Sequence, residues 1–350
     1  MLYDLKKIQD AQVKGKKVFL RADLDVPIEN ATIKDASRLR AWFPTLEHLL
    51  KNGAMVYLCG HMGRPEGVDE KLSLRPVAEW VNNKLELGHI GLEEKQVNGF
   101  KAFATKGNVT ILENLRFYKE EEANDDNFSQ KLAELAEIYV NDAFASDHRA
   151  HASIVGVPKY LPHFAGLRVQ IETEELSNVL ENPKRPLAFI IGGAKIETKL
   201  PLVEKMHQLA DYVLVGGEIA ENDKILLKVQ HEKLEGTRSV LLVADLIEST
   251  KDITEKSAEN FLQVLQNVAS VVWNGPMGLV EEEEFAKGTR ILADGVTKLS
   301  AYKILGGGDT VSCIDNMKLL DKFDFVSIGG GAMLEFLAGV KLPGLVVLEN

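Results

Sequence analysis

The sequence contains few cysteines and no long apolar segment, and both absences restrict the class of protein. Two cysteines, Cys59 and Cys313, occur among 350 residues and lie far apart. They exclude a disulfide framework or a cysteine-rich metal centre and are typical of small buried side chains in a reducing compartment. No apolar run approaches the ~20 residues of a membrane span. The first residues, MLYDLKKIQD, contain no signal-peptide core, so we expect a cytoplasmic protein.

An excess of basic residues is also absent. The chain has 41 Lys and Arg against 52 Asp and Glu, which gives a net charge of −11. Such a chain is poorly suited to non-specific binding of nucleic acid or anionic membranes, so we expect small-molecule partners instead. The Walker A sequence and the G-x-G-x-x-G dinucleotide motif are missing too. The second absence excludes an NAD-dependent dehydrogenase of the usual kind.

Short apolar runs alternate with helical patterns along most of the chain. Strands are predicted at 17–25, 54–59, 109–112 and 137–141, and again at 187–191, 212–215, 240–243, 271–273, 303–305 and 325–327. The acidic run at 120–127 is predicted as a solvated loop. This alternation predicts an α/β protein with two doubly wound parallel-sheet, Rossmann-like domains.

A long polar helix followed by two prolines divides these halves at residues 168–186, which we interpret as an inter-domain helix and hinge. The predicted domains are therefore 1–167 and 187–341. Residues 342–350 form a C-terminal tail that we expect to pack back on the N-terminal domain.

Arginines concentrate in the first half, where seven of the eleven precede residue 150. Polar clusters follow the predicted strands there, at Asp23 and Asp25, at His61 and Arg64, at Arg116, and at Arg149. In parallel sheets, ligands bind beyond the carboxyl ends of the strands. Because guanidinium groups match phosphate and carboxylate oxygens, these clusters predict a site for an anionic substrate.

Glycine turns dominate the second half. The segment IIGGAKIETK combines a strand, a glycine pair, and Lys195 and Lys199 on one face of a helix. Backbone N–H groups at a helix start favour phosphate, although a tight turn followed by two solvated lysines fits this segment equally well. Asp309 follows three glycines and is a metal candidate, since one carboxylate plus phosphate oxygens commonly holds Mg²⁺. It could also cap a helix.

Nine motifs in order carry a family resemblance. They are RADLDVP, DASRL, GHMGRP, ENLRF, NDAFASDHRAHAS, GGAK, WNGPMG, GGGDT and GGGAMLEFLAGVKLPG, between Arg21 and Gly344. Together they resemble the phosphoglycerate kinase family. The resemblance implies a monomeric kinase of glycolysis. It would transfer a phosphoryl group reversibly from 1,3-bisphosphoglycerate to ADP, giving 3-phosphoglycerate and ATP, with Mg²⁺.

The resemblance also implies roles for individual residues. An N-terminal triose-phosphate site would contain Asp23, Leu24, Asp25, Arg38, His61, Met62, Gly63, Arg64, Arg116 and Arg149. A C-terminal nucleotide site would contain Gly193, Ala194, Lys199, Asn274, Pro276, Glu281, Gly307, Gly308, Asp309 and Thr310. Arg38, Lys195 and Lys199 would act in catalysis, Glu281 would bind ribose, and Asp309 would bind the metal. Hinge closure around 168–186 would bring the substrates together.

The sequence departs from the family pattern at four places. One of them is Ile328, which replaces the usual threonine before the last glycine run. Asp25 stands where the family usually has asparagine, and Glu218 replaces the third glycine of a glycine run. The segment 218–272 is much shorter than in typical members. The shortened segment and Glu218 motivate an alternative function, a non-catalytic protein that binds 3-phosphoglycerate and has an impaired nucleotide site.

Overall fold

A computed structural model describes residues 2–85, 92–105, 107–194, 196–222, 225–226 and 239–349. The chain divides into two compact units. The first comprises residues 1–174 together with 341–350, and the second comprises residues 175–340. The division falls inside one helix, and the C-terminal residues belong to the first unit.

The first unit is organised by a mixed sheet. Its strands are β1 (Lys17–Ala22), β2 (Ile28–Glu29), β3 (Thr32–Ile33), β4 (Met55–Cys59), β5 (Glu93–Val97), β6 (Phe100–Ala104), β7 (Val109–Leu112), β8 (Ile138–Asp142) and β9 (His163–Ala165). Apart from the β2–β3 hairpin, the described strands form one sheet in the order β5-β6-β7-β4-β1-β8-β9. All pairs from β7 to β9 are parallel. Because the strand order reverses at β1, a crevice is expected between β1 and β8 at their carboxyl ends.

Five helices accompany this sheet in the described ranges before residue 182. They are α1 (Ser37–Lys51), α2 (Arg75–Lys84), α3 (Lys119–Glu122), α4 (Asp126–Ala133) and α5 (Leu167–Glu181). The Asp35 carboxylate accepts a hydrogen bond from the backbone N–H of Ser37 at 2.7 Å and so caps the start of α1. The apolar face of α1 packs on the sheet, with Trp42 fully buried. This packing holds the loops that follow β1 and β4 in place.

The second unit contains a sheet that is parallel throughout its described strands. They are β10 (Leu187–Ile191), β11 (Tyr212–Val215), β12 (Val240–Val243), β13 (Ser270–Asn274), β14 (Tyr302–Gly306) and β15 (Phe325–Val326). The order along the sheet is β12-β11-β10-β13-β14-β15. The order reverses between β10 and β13, which places the glycine pair after β10 at the switch point.

Helices connect most of these strands. They are α6 (Ile196–Leu209), α7 (Glu255–Leu265), α8 (Lys287–Val296), α9 (Gly308–Asn316) and α10 (Gly331–Leu337), and α11 (Pro343–Val346) then belongs to the first unit. The core of the second unit surrounds Trp273, which is fully buried. Within the described ranges, no helix combines the length and apolarity needed to cross a bilayer.

The predicted α/β class is confirmed, since each unit contains a doubly wound sheet of parallel strands. One local element was missed and one local prediction is wrong. The antiparallel β5–β6 hairpin, with its turn at Asn98 and Gly99, was not predicted. The acidic run at 120–127 is not a solvated loop, because it contains α3 and the start of α4. Glu121 in that run is fully buried.

Candidate functional site

Charged side chains of the first unit gather beyond the carboxyl ends of four adjacent parallel strands. Asp23 and Asp25 follow β1, His61 and Arg64 follow β4, Arg116 follows β7, and Arg149 follows β8. Neighbouring strands lie about 4.8 Å apart, so these four loops form one continuous edge. The sequence prediction of a cluster there agrees with the placement of these residues.

The two aspartates of this edge are held by neutral hydrogen-bond donors. Asp23 accepts from the backbone N–H of Ala145 at 2.9 Å and from the Ser146 hydroxyl at 3.1 Å. Burial raises the pKa of Asp23, and the nearby Arg38 and Arg21 oppose that rise. Both carboxylate oxygens of Asp23 are thus occupied within the protein. Asp23 therefore fixes the loop after β1 to the loop after β8, and each of its oxygens keeps further acceptor capacity.

Asp25 fastens the loop after β4. Its Oδ1 accepts the backbone N–H of Gly63 at 3.0 Å, and its Oδ2 lies 3.8 Å from Nε2 of His61. Arg38 donates from Nη1 to the backbone carbonyl of Asp25 at 2.8 Å, not to its carboxylate. The carboxylate that distinguishes this chain from the family pattern therefore binds backbone in the loop and forms no ion pair with Arg38.

Asn114 positions the same loop and was missed by the sequence analysis. This fully buried amide donates to the carbonyls of Met62 at 2.8 Å and Leu72 at 3.0 Å. Its Oδ1 accepts the N–H groups of Met62 at 3.2 Å and Arg116 at 3.1 Å. Asn114 lies in the quoted motif ENLRF, so its motif position was the available signal.

A buried network supports the edge from below. Arg21 is fully buried and donates from Nε to the Ser153 hydroxyl at 2.8 Å, while its Nη2 lies 3.1 Å from Nδ1 of His61. The Ser153 hydroxyl donates to Glu121, whose carboxylate also accepts the Ser153 backbone N–H at 2.9 Å. Burial, with Arg21 next, lowers the pKa of His61 well below its usual value. His61 is thus neutral at physiological pH.

The basic side chains of the edge lack carboxylate partners, with one exception. Within the described residues, Arg38, Arg64 and Arg149 have no carboxylate at ion-pair distance, and Arg64 is exposed. Burial and the neighbouring Arg64 lower the pKa of the Arg149 guanidinium. Arg116 is the exception, since its Nε lies 3.0 Å from Glu122 while Nη1 donates to the Gly63 carbonyl at 2.6 Å. Asp25 and Asp23 act on Arg149 in the opposite direction. Several guanidinium groups at one edge without a carboxylate at ion-pair distance attract an anion of several negative charges.

The remaining predicted residues of this site contribute backbone only. Leu24 and Met62 have buried side chains in the core. Gly63 adopts φ of +61°, and a side chain there would meet Leu72 at 2.9 Å. The loop therefore needs glycine at this position to bring its backbone beside Arg116 and Asp25.

The switch point of the second unit brings two glycine-containing loops into contact. Gly192 and Gly193 donate to the carbonyls of Asn274 and Pro276, both at 3.0 Å. A Cβ on Gly192 would lie 2.2 Å from the Pro276 carbonyl, so no larger residue fits there. These contacts join the loop after β10 to the loop after β13.

A polar cradle lies beside this junction at the start of α9. Lys199 is buried and donates from Nζ to Oδ1 of Asn274 at 2.5 Å. Burial lowers the pKa of Lys199 to about 8, and Asp309 opposes this shift. The Thr310 hydroxyl accepts the N–H of Gly275 at 3.0 Å. Gly307 adopts φ of +93°, and a Cβ there would lie 3.3 Å from Oδ1 of Asn274. The first N–H groups of a helix have no intrahelical partner, and the space where a Cβ on Gly308 would lie is open, with nothing within 4 Å.

A pocket of about 380 Å³ opens next to the cradle. Of the predicted nucleotide-site residues it is lined by Gly193, Ala194, Pro276, Glu281 and Asp309. Lys199, Asn274, Gly307, Gly308 and Thr310 do not line it and lie in the adjoining cradle. Lys195 lies outside the described residues. Glu281 precedes the short 3₁₀ helix Glu283–Phe285, whose first turn contains Glu283 and Glu284.

Several residues that line the pocket were missed by the sequence analysis. They are Gly217, Ser249, Thr250, Lys251, Gly278 and Leu279. Three of them belong to the segment that no motif covers, so no sequence signal could have found them. Nζ of Lys251 lies 3.2 Å from Oε1 of Glu282 and 4.6 Å from the centre of the Phe285 ring. These two contacts hold the segment 249–251 against the loop that contains Glu281.

The described residues offer one carboxylate beside the cradle for a metal. No group of three or more His, Cys, Asp or Glu side chains suited to a metal occurs in the described part of the chain. Asp309 is exposed and lines the pocket at the first turn of α9. A single carboxylate fits Mg²⁺ when phosphate oxygens and water supply its other ligands.

Comparisons with known proteins all indicate the same family and cover nearly the whole chain. A family model described as phosphoglycerate kinase matches residues 8–236 and 228–340. The cytosolic phosphoglycerate kinase 3 of Arabidopsis thaliana is 38% identical over 392 positions, covering 98% of each chain. The phosphoglycerate kinase of Dictyoglomus turgidum is 38% identical over 391 positions, again covering 98% of each chain. The structure of phosphoglycerate kinase from Coxiella burnetii superposes with a TM-score of 0.82 at 31% identity, covering 98% of both chains.

The alignment also reveals missing length. The alignment with the Arabidopsis protein spans 392 positions and contains 98% of the 350 residues here. About 50 of its positions therefore have no residue in this chain. The family model matches in two segments, which overlap at residues 228–236. This overlap lies inside 218–272, the segment that we expect to be shorter than in typical members. On the strength of the family match, the relatives and the structural likeness, the chain belongs to the phosphoglycerate kinase family.

Proposed function

We propose that this chain is a phosphoglycerate kinase. It transfers a phosphoryl group reversibly from 1,3-bisphosphoglycerate to ADP, a phosphotransferase reaction in which a carboxyl group is the acceptor in the reverse direction. The observation that carries this proposal is the group of Arg38, Arg64 and Arg149 without carboxylate partners at one sheet edge. That excess positive charge matches a small substrate with phosphate and carboxylate groups.

In the first unit, we assign the triose phosphate to the basic edge. Arg64, Arg116 and Arg149 bind its anionic groups, and neutral His61 offers a hydrogen bond without adding charge. Asp23 and Asp25 hold the loops through backbone contacts. The backbone of Leu24, Met62 and Gly63 completes the wall. Arg38 is the catalytic arginine of this unit, because its donor groups beyond the Asp25 carbonyl are available to the transferring group.

In the second unit, we assign the nucleotide to the pocket and cradle. The N–H groups at Gly308 and the Lys199 ammonium bind phosphate oxygens, and Glu281 accepts from the ribose hydroxyls. Gly193, Ala194 and Pro276 form a wall beside the switch point. Lys195, by its resemblance to the family pattern, is assigned to the transferring phosphoryl group. Asp309 would hold Mg²⁺, which supplies charge neutralisation for the nucleotide phosphates when bound.

The chemistry needs positioning and charge stabilisation more than covalent work. An acyl phosphate is already activated, and the transition state spreads charge over the equatorial oxygens of the transferring group. Arg38 and Lys195 neutralise that charge, and Lys199 holds its oxygens in line. Because each substrate is assigned to a different unit, the proposal includes a hinge around 168–186 and closure on substrate binding. The proposed enzyme is also monomeric and cytoplasmic.

The alternative, a protein that binds 3-phosphoglycerate without catalysis, has weaker support. A degenerate nucleotide site is expected to lose functional side chains. Here Lys199, Asn274 and Asp309 still surround one cradle, and Glu281 still lines the adjoining pocket.

A coupled assay tests the proposal. The enzyme is incubated with 3-phosphoglycerate, Mg-ATP and excess glyceraldehyde-3-phosphate dehydrogenase, and loss of NADH is followed. We expect turnover that requires all three components. Folded protein that binds 3-phosphoglycerate in calorimetry but gives no turnover with any purine nucleotide would favour the alternative.

A further inference from the structure

Glu218 is a carboxylate in the nucleotide pocket that the proposed mechanism does not use. It is exposed and lines the pocket with Gly217, Pro276 and Glu281. Among the described residues, Glu218 has no hydrogen-bond or ion-pair partner through its side chain. The ammonium group in the same pocket, that of Lys251, pairs with Glu282 instead. A ligand in this pocket therefore meets a carboxylate that no described protein group engages.

The backbone around Glu218 is firmly placed. Gly217 adopts φ of +69°, and a Cβ there would lie 2.7 Å from the backbone nitrogen of Gly193. The N–H of Ile219 donates to the carbonyl of Gly193 at 3.1 Å. These contacts anchor residue 218 to the loop after β10. The carboxylate is thus presented from a fixed turn at the end of β11.

Strand order determines which part of a nucleotide Glu218 meets. The phosphate cradle follows β14, and the order β11-β10-β13-β14 puts Glu218 three strands away. At about 4.8 Å per strand, this separation is about 14 Å, comparable to an extended nucleoside diphosphate. With its phosphates at the start of α9, a nucleotide that follows this edge places its base beside Glu218.

Charge leads to the same placement. The pocket already contains the carboxylates of Glu281 and Asp309, and a nucleotide adds a polyanionic tail. A third carboxylate beside the phosphates would repel them, since like charges at short distance are unfavourable. Beside a base, the same carboxylate finds N–H donors, and a charge-assisted hydrogen bond offsets its desolvation.

Purine bases differ in the donors that they offer. Guanine has two adjacent donors, N1–H and the 2-amino group, spaced to match the two oxygens of one carboxylate. Adenine has the 6-amino group, and its N1 is an acceptor that repels a carboxylate. We propose that Glu218 is a specificity-determining residue that favours guanine over adenine nucleotides in this pocket. This inference deepens the proposed function and rests on it.

The test compares nucleotides in the wild type and three variants. The ratio of kcat/KM for GTP to that for ATP is measured in the coupled assay. Glu218→Gln removes the charge with little change of shape, and Glu218→Gly removes the side chain. Glu248→Gln is the matched control, because Glu248 is exposed and lies next to the pocket segment 249–251 without lining the pocket.

We expect both Glu218 variants to lower the GTP-to-ATP ratio at least about tenfold, as expected for loss of a bidentate base contact. The control should leave the ratio within about twofold of the wild type. ITP, which lacks the 2-amino group, should be a poorer substrate than GTP in the wild type and equal to it in Glu218→Gly. A ratio that stays the same in folded Glu218→Gln and Glu218→Gly would overturn the inference and leave the kinase function intact.

A second measurement separates this inference from the proposed function. Absence of turnover with ATP, GTP and ITP would overturn the proposed kinase activity. Calorimetry would then decide the role of Glu218 from the Kd values for Mg-GDP and Mg-ADP. A GDP preference that falls at least about tenfold in Glu218→Gln supports the inference, and equal preferences in both proteins reject it.

Discussion

Replacing Asn114 by alanine removes one side chain that fastens three segments around the basic edge. Its amide connects the loop after β4, the segment before α2 and the start of the turn that contains Arg116. Because Asn114 is fully buried, its own side chain does not reach a bound substrate. The substitution therefore tests whether the edge depends on a preorganised loop.

The expected loss of stability follows from the four hydrogen bonds of this amide. Each contributes about 1 kcal/mol net, and the backbone groups they satisfy become buried without a partner in the variant. Water entering the vacated space recovers part of this energy, so we expect a loss of about 3 kcal/mol. The looser loop should also raise KM for 3-phosphoglycerate about tenfold, equivalent to ~1.4 kcal/mol, because Arg64 is displaced. Binding of Mg-ADP should not change.

Urea titration followed by tryptophan fluorescence measures the stability. A three-state fit treats the two units separately, because a chain with two units need not unfold in one step. Asn52→Ala is the control, since exposed Asn52 makes a hydrogen bond of 2.8 Å to the His48 carbonyl at the end of α1. A loss below about 1 kcal/mol is expected there.

Two results would refute the reasoning. Asn114→Ala could be as stable as the Asn52→Ala control, which would mean that the four contacts contribute little. Alternatively, stability could fall while KM for 3-phosphoglycerate stays at the wild-type value. The loop would then not position the basic edge.

Three further predictions address the assigned roles. Arg38→Ala should lower kcat about 100-fold or more and change the Kd for Mg-ADP less than twofold; equal kcat in variant and wild type would reject Arg38 as catalytic. Since burial lowers the pKa of Lys199 to about 8, its charge is lost as pH rises through that value. In calorimetry the Kd for ADP should therefore rise about tenfold per pH unit above pH 8, whereas Lys199→Met should bind weakly with no such slope. Asp309→Asn should raise KM for Mg-ATP at least about tenfold with KM for 3-phosphoglycerate unchanged, and an unaltered Mg²⁺ requirement would reject Asp309 as the metal ligand.

Local patterns predicted the strands well where both faces are buried. The runs at Val109–Leu112, Leu187–Ile191 and Tyr212–Val215 match the observed strands residue for residue. A buried parallel strand needs apolar side chains on both faces, so its sequence differs clearly from its surroundings. The β5–β6 hairpin was missed because β5, EEKQV, is polar and mostly exposed, although its Asn-Gly turn was a usable signal.

Burial of charged residues could not be predicted from local patterns. Glu121 lies in an acidic run that is typical of a solvated face, yet Arg21 and Ser153 from distant elements surround it. Whether a carboxylate is paired depends on which distant groups the fold brings near, and the run itself contains no information about them. The same reason explains why Asn114 was missed as the residue that positions the loop after β4.

The sequence by itself determined the fold class, the family and the identity of the polar residues at the strand ends, because periodicity and ordered motifs are local properties of the chain. Only the tertiary structure decided which of these residues remain available to a ligand. It committed Asp23 and Asp25 to hydrogen bonds within the protein, left Arg38 and Arg64 without carboxylate partners at ion-pair distance, and placed Glu218 in the pocket beside the start of α9. Hydrogen bonding and charge compensation depend on distances between segments far apart in sequence, which only the folded chain defines.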